Sequence, residues 1–181
     1  MKSKLLILLM LGSFQLMSAQ KYISKSGHIW FISNTPMEVI EGHNRQAVST
    51  LDVSTGDVAF MMLIKAFEFK IALMQEHFNE NYMESDKIPK SSFKGKITNI
   101  GKIDFKKDGS YAAEVSGDLT IHGVTKAVST KGTIEVKGKV ITTKAKFTVS
   151  PKDYGIKIPS LVESKVAKEV EINVDTPYNS N

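Results

Sequence analysis

The chain has 181 residues, 41% of them hydrophobic and 24% charged, enough for one globular domain with a sizeable core. It holds no cysteine, which excludes disulfide staples, a thiol nucleophile and a cysteine-linked lipid anchor. Its formal charge of +5 rests on lysine, with Arg45 the single arginine, so nucleic acid, whose readers favour the arginine fork, is not an expected partner.

In chain order, Lys2 and Lys4 precede a nearly continuous apolar run from Leu5 to Leu16, and Met17-Ser18-Ala19 then offers small residues before Gln20. Residues 1–19 read as a secretory signal peptide cleaved after Ala19, leaving residues 20–181 as one exported domain, periplasmic or secreted. Loss of Lys2 and Lys4 takes the formal charge from +5 to +3. No later stretch approaches the roughly 18 apolar residues of a membrane helix, so no integral membrane segment is expected in the mature chain.

Residues 27–33 and 45–52 read as strands, and Thr55-Gly56-Asp57 turns the chain into a third over 57–66. That third strand is apolar on both faces, so a cover over its outside is expected. Phe69 to Glu84 carries no glycine or proline and places Met74, Phe78 and Tyr82 at i, i+4 spacing, which predicts a helix over 71–83. A fourth strand is expected over 92–105, with Phe93, Gly95 and Ile97 on one face. From residue 107 the period is two. Strands over 110–121, 126–137 and 140–150 set Val115, Leu119, Ile121, Val128, Ile134, Ile141 and Phe147 on one parity and the lysines on the other. A short helical piece over 160–167 precedes a last strand over 168–175.

Eight antiparallel strands, one helix and no linker imply an all-β fold with one short helix. A closed eight-stranded barrel capped by that helix is expected, since closure removes the edges and leaves room for one small ligand. A two-sheet sandwich is the main alternative.

Catalytic signals are sparse. The chain has no G-x-S-x-G elbow, H-E-x-x-H pair or glycine-rich phosphate loop. His28, His43, His77 and His122 fall in different elements, so spacing assigns no metal site, and no cofactor is expected. His77, beside Glu76, reads as a helix histidine that lines a cavity. Glu76, Glu80 and Glu84 mark a solvated helix face with a neighbour such as Lys87 close by.

Two segments, "GDLTIHGVTK" (117–126) and "LMQEHFNENYMESDKIPKSSFKGKI" (73–97), resemble the YceI-like family of exported, lipocalin-like barrels associated with polyisoprenoid and other long-chain lipids. Leu119, Thr120, Ile121, Gly123, Val124, Thr125 and Lys126 match the family's hairpin, and His77, Phe78, Lys87, Pro89 and Phe93 its helix motif. His122 stands where the family often has arginine. Ser150-Pro151-Lys152-Asp153-Tyr154-Gly155 replaces its R-x-D-F-G.

The resemblance implies a lipid-binding barrel that carries or sequesters one long apolar molecule and is not an enzyme. The ligand-lining residues expected from parity and helix spacing are Phe67, Phe69, Leu73, Met74, His77, Phe78, Phe93, Ile97, Val115, Leu119, Ile121 and Phe147. A long-chain lipid or isoprenoid is the expected partner, and a homodimer is left open. Two readings compete: an enzyme using His77 with Glu76 or Asp86 in the same cavity, and a barrel filled solid by Phe60, Phe67, Phe69, Phe93 and Phe147. His122, at the hairpin apex, reads as a solvent-reachable rim group beside Gly123, whose freedom at positive φ suits the reversal.

Overall fold

The computed structural model describes residues 21–179. The expected signal segment, residues 1–19, lies outside them. Eight strands follow in order: β1 Lys21–Asn34, β2 Val39–Asp52, β3 Asp57–Leu63, β4 Lys90–Ile97, β5 Gly109–Ile121, β6 Val124–Lys137, β7 Val140–Val149 and β8 Val170–Asn179. Each pairs antiparallel with the next, and β1 closes on β8 where His28–Ile32 run beside Glu171–Asp175. The chain is therefore a closed up-and-down barrel and not a sandwich.

This connectivity sends alternate connections to opposite ends. Residues 53–56, 98–108 and 138–139 lie at one end, and 35–38, 64–89, 122–123 and 150–169 at the other. The first end is closed. Tyr22, Leu51, Ile103, Val136, Ile141 and Tyr178 are buried together there, with Ile100 and Phe105 packed against them.

The plug corrects the expected strand over 92–105, because β4 stops at Ile97. Asn99 takes over the ladder, accepting from the Glu114 amide and donating to the Ala112 carbonyl, both at 2.9 Å. These bonds satisfy the edge of β5 while the chain turns beneath the barrel, so Ile100, Ile103 and Phe105 become its floor.

β1 and β2 begin six residues earlier than expected, and the reason is a bulge. Tyr22 and Ser24 point inward on even numbers, whereas Gly27, Ile29 and Ser33 do so on odd ones. The register shifts between Ser24 and Ile29, and β2 changes phase opposite, with Gly42 and Asn44 inward before Ala47, Ser49 and Leu51. An extra residue in a strand interrupts the period-two signal while the ladder continues.

The outside of β3 has no cover among the described residues: Met61 and Leu63 are exposed, at 41% and 50%. The chain turns away as a 3-10 turn at Ile64–Ala66 and crosses the open end instead. There α1 (Ala72–His77) continues into a wide π turn over Phe78–Tyr82, closed by the Met83 amide donating to the Phe78 carbonyl at 2.9 Å. Residues 160–165 form a 3-10 turn where a short helical piece is expected.

An apolar cavity at the open end as candidate functional site

The interior above the plug is not filled. A cavity of about 530 Å³ opens at the end that carries the long connections, and a smaller void of about 110 Å³ lies deeper. Ile29, Met62, Leu119, Phe147 and Ile172 wall both, so they form the partition between them.

Three glycines shape this interior. Gly95 and Gly117 face each other across β4 and β5. A Cβ on Gly95 would come within 2.4 Å of the Phe93 ring, and one on Gly117 within 2.4 Å of the Lys94 carbonyl oxygen. The Phe93 ring therefore lies flat on bare backbone. Likewise Gly42 leaves room for Phe31 and Phe69, whose ring atoms would stand 2.5 and 2.8 Å from its Cβ.

Above Gly42 the mouth is lined by four phenylalanines. Phe78 stacks on Phe31 at 5.4 Å between centroids and tilts against Phe67 at 5.4 Å and Phe69 at 5.0 Å. Spacings of this kind lie in the favourable range for aromatic pairs. A two-way backbone bridge between His43 and Glu68, at 3.0 and 2.8 Å, pins residues 67–69 to β2 and so fixes where Phe67 and Phe69 point.

Of the twelve expected lining residues, Phe67, Phe69, Leu73, Met74, His77, Phe78, Leu119, Ile121 and Phe147 line the main cavity. Phe93, Ile97 and Val115 sit around the deeper void, with Ile97 also buried in the floor. The aromatic filling considered for Phe60, Phe67, Phe69, Phe93 and Phe147 leaves this space open.

Much of the wall comes from segments whose signal is weak in sequence. Ile156, Ile158, Val162 and Val166 reach the cavity from the β7–β8 connection, a loop whose apolar residues follow no single period. Ile40 belongs to the half of β2 hidden by the bulge.

Polar groups gather at the open end. Glu38, His77, Tyr82 and Lys165 line the mouth, and Lys165 Nζ stands 4.0 Å from Glu38 Oε2. The Ser33 hydroxyl accepts from the Ala167 amide at 2.8 Å, tying the β7–β8 connection to β1. Ser91 Oγ is buried in the wall with no hydrogen-bond partner among the described residues. Among the described residues His77 has no side-chain hydrogen bond and no acid partner, Glu76 is exposed, and Asp86 is held by Lys65 at 2.5 Å. A general base needs such an orienting partner within reach.

The hairpin histidine departs from the expected exposed rim. His122 and Gly123 both have positive φ, +50° and +75°, the pair of left-handed residues a two-residue I′ hairpin requires. The His122 side chain is only 12% exposed. Its Nε2 meets Glu84 Oε2 and its Nδ1 the Tyr154 carbonyl, each at 3.3 Å. It thus links the β5–β6 turn to both long connections. Glu84, also bonded to Lys87 at 2.7 Å, is held below its usual carboxylate range, first by the Lys87 hydrogen bond.

His28 and His43 lie on the outer wall, 3.1 Å apart, with Trp30 stacked on His28 and Arg45 3.3 Å from its Nδ1. Burial, then Arg45 and His43, lower the His28 pKa. The single arginine is therefore outside the cavity. Among the described residues no three His, Asp or Glu side chains group as metal ligands, and no helix is long and apolar enough to cross a membrane.

Residues 15–178 match the YceI-like domain family. A UPF0312 protein of Pseudomonas fluorescens is 38% identical over 73 residues, a stretch covering 37% of this chain and 38% of that protein. The matched stretch thus spans well under half the length of this curated relative. Among solved structures, a polyisoprenoid binding domain from Saccharophagus degradans superposes with a TM-score of 0.77 at 11% identity, covering 91% of this chain and 100% of that one. BcnA of Burkholderia cenocepacia gives 0.70 at 16% identity over 83% and 95% of the two chains. The YCEI protein of Campylobacter jejuni gives 0.59 at 16% over 100% and 99%. At these identities the likeness is one of fold.

Proposed function

The chain belongs to the YceI-like domain family, and from that premise we propose that it is an exported protein holding one long-chain apolar ligand, a polyisoprenoid, quinone-like or fatty-acyl lipid, for carriage or sequestration. The observation that carries the reading is the cavity of about 530 Å³, within the roughly 300–1,000 Å³ of ligand sites generally, walled by apolar side chains and polar only toward its mouth. Each methylene moved there from water contributes about 0.8 kcal/mol, so chain length supplies most of the affinity. The polyisoprenoid-binding description of the Saccharophagus degradans domain supports the same ligand class.

A polar end would sit at the mouth. Ser91 offers its unused hydroxyl to a ligand hydroxyl, ether or carbonyl oxygen, and Lys165 faces any anionic group. No carboxylate among the described residues is bonded to the His77 ring, which favours binding without turnover.

Native mass spectrometry of the protein purified from its own host tests this. The expected result is an adduct that lipid extraction removes, with a lower melting temperature afterwards. A chain that is ligand-free, and whose melting temperature does not respond to added long-chain lipids, would refute the proposal.

A further inference from the structure

The mouth of the cavity is ringed by exposed aliphatic side chains. Met37 is on the β1–β2 turn, Val39 starts β2, Ile71 and Leu73 lie on the β3–β4 connection, and Leu161 is on the β7–β8 connection. Met37 is 67% exposed and Leu161 91%. Apolar atoms do occur singly on surfaces. Here three separate connections present them at one end, and the Lys165–Glu38 pair and the Ala167–Ser33 bond hold two of those connections together. The ring is continuous with the cavity, because Ile71 and Leu73 belong to both.

Its chemistry selects among occupants. Its five exposed side chains are all aliphatic, and the tyrosines that line the cavity, Tyr82 and Tyr154, are half-buried and buried, so they do not offer the exposed aromatic anchor that protein partners use. Its three segments also carry no positive excess: the seven lysines of residues 35–38, 64–89 and 150–169 face nine carboxylates, a net charge of −2. An aliphatic ring around an open apolar chamber suits insertion into the acyl boundary of a lipid layer.

We propose that this ring docks the open end of the barrel on a zwitterionic lipid bilayer, and that the ligand passes between bilayer and cavity through it. This rests on the lipid-binding reading of the cavity. Passage through the docked mouth spares the chain exposure to water, at about 0.8 kcal/mol for each methylene. Lys70 and Lys157, exposed and without an ion pair among the described residues, sit beside Ile71 and between Ile156 and Ile158, where their stems can lie along the layer with the ammoniums at headgroup depth.

The test is flotation of the chain lacking residues 1–19, whose barrel closes within residues 21–179, with phosphatidylcholine vesicles and with phosphatidylcholine–phosphatidylglycerol vesicles. The parent is expected to float with both. A Met37→Asp/Leu161→Asp double variant is expected to lose at least about tenfold in partition, while Val140→Asp, at the closed end, keeps the parent value. Met37 and Leu161 do not line the cavity, so the double variant should still take up a fluorescent long-chain alcohol from solution. A parent that stays in the aqueous phase, one that floats only with phosphatidylglycerol, or a double variant that floats like the parent overturns the proposal. So does a double variant that no longer takes up the alcohol, since ring and cavity would then be inseparable. A parent that floats yet never takes up the alcohol would refute the lipid cavity and leave the docking standing.

Discussion

Leu119→Ala should join the two internal spaces and lengthen the preferred ligand. Leu119 is 7% exposed and walls both the cavity of about 530 Å³ and the void of about 110 Å³. Truncating a buried leucine to alanine costs about 2–5 kcal/mol, rising with the volume left empty. Space on both sides of Leu119 is already empty, so fewer contacts are lost and the low end, about 2 kcal/mol, applies. In a domain of this size each kcal/mol moves the melting temperature by roughly 2–4 °C, which gives a fall of about 4–8 °C in the ligand-free protein. A chain two methylenes longer then finds about 1.6 kcal/mol of new burial, roughly a fifteenfold gain in affinity. Thermal unfolding by circular dichroism reads the first number. Competition titrations with a homologous series of alcohols read the second. A melting temperature within 1 °C of the parent's, or an unchanged best chain length, would show that Leu119 is not the partition and sink the reasoning.

Phe78→Asp puts a carboxylate against Phe31, Phe67 and Phe69, and should weaken retention of a long-chain probe at least tenfold at a stability cost of about 1–3 kcal/mol, measured by probe displacement and by melting. Gly123→Val strains a position at φ +75° and should cost about 1–3 kcal/mol by urea unfolding; the added Cβ meets nothing nearer than Ile88 at 3.8 Å, so a loss above that range would point to a clash instead. His122→Gln should cost about 1–2 kcal/mol through its contacts to Glu84 and Tyr154, and a neutral result would return this residue to a passive turn position. Burial pushes the Tyr178 hydroxyl from 10.0 up to about 12 although Ser49 bonds to it. Because the folded value is the higher one, this stabilisation is whole below pH 10 and fades as pH rises from 10 to 12, by about 3 kcal/mol in all. Tyr178→Phe should flatten that part of the pH–stability curve, and an equally steep fall in the variant would assign it to other groups.

The sequence by itself determined the barrel's strand count, the antiparallel order and the inward parity from Tyr111 to Val149, because there the period of two runs unbroken and every turn is short. It also marked which residues of those strands face the interior, since a side chain's face in a regular strand follows from its number alone. Where a bulge inserts one residue, at Lys25–Gly27 and opposite at Arg45–Gln46, that rule slips by one. The first six residues of β1 and of β2, with Ile40 among the latter, were legible only through the ladder that continues across the slip. The plug was decided by tertiary structure too: Asn99 ends β4 by bonding to β5, a partner thirteen residues away in sequence that no local pattern announces. The same holds for the open mouth. Glycine signals only the absence of a side chain, and it takes the closed barrel to show that Gly42 leaves that space to Phe31 and Phe69, and Gly95 and Gly117 to Phe93. Whether an apolar interior is filled or hollow depends on how ring volumes meet across strands distant in sequence. That is a sum over contacts, and only the folded chain makes them.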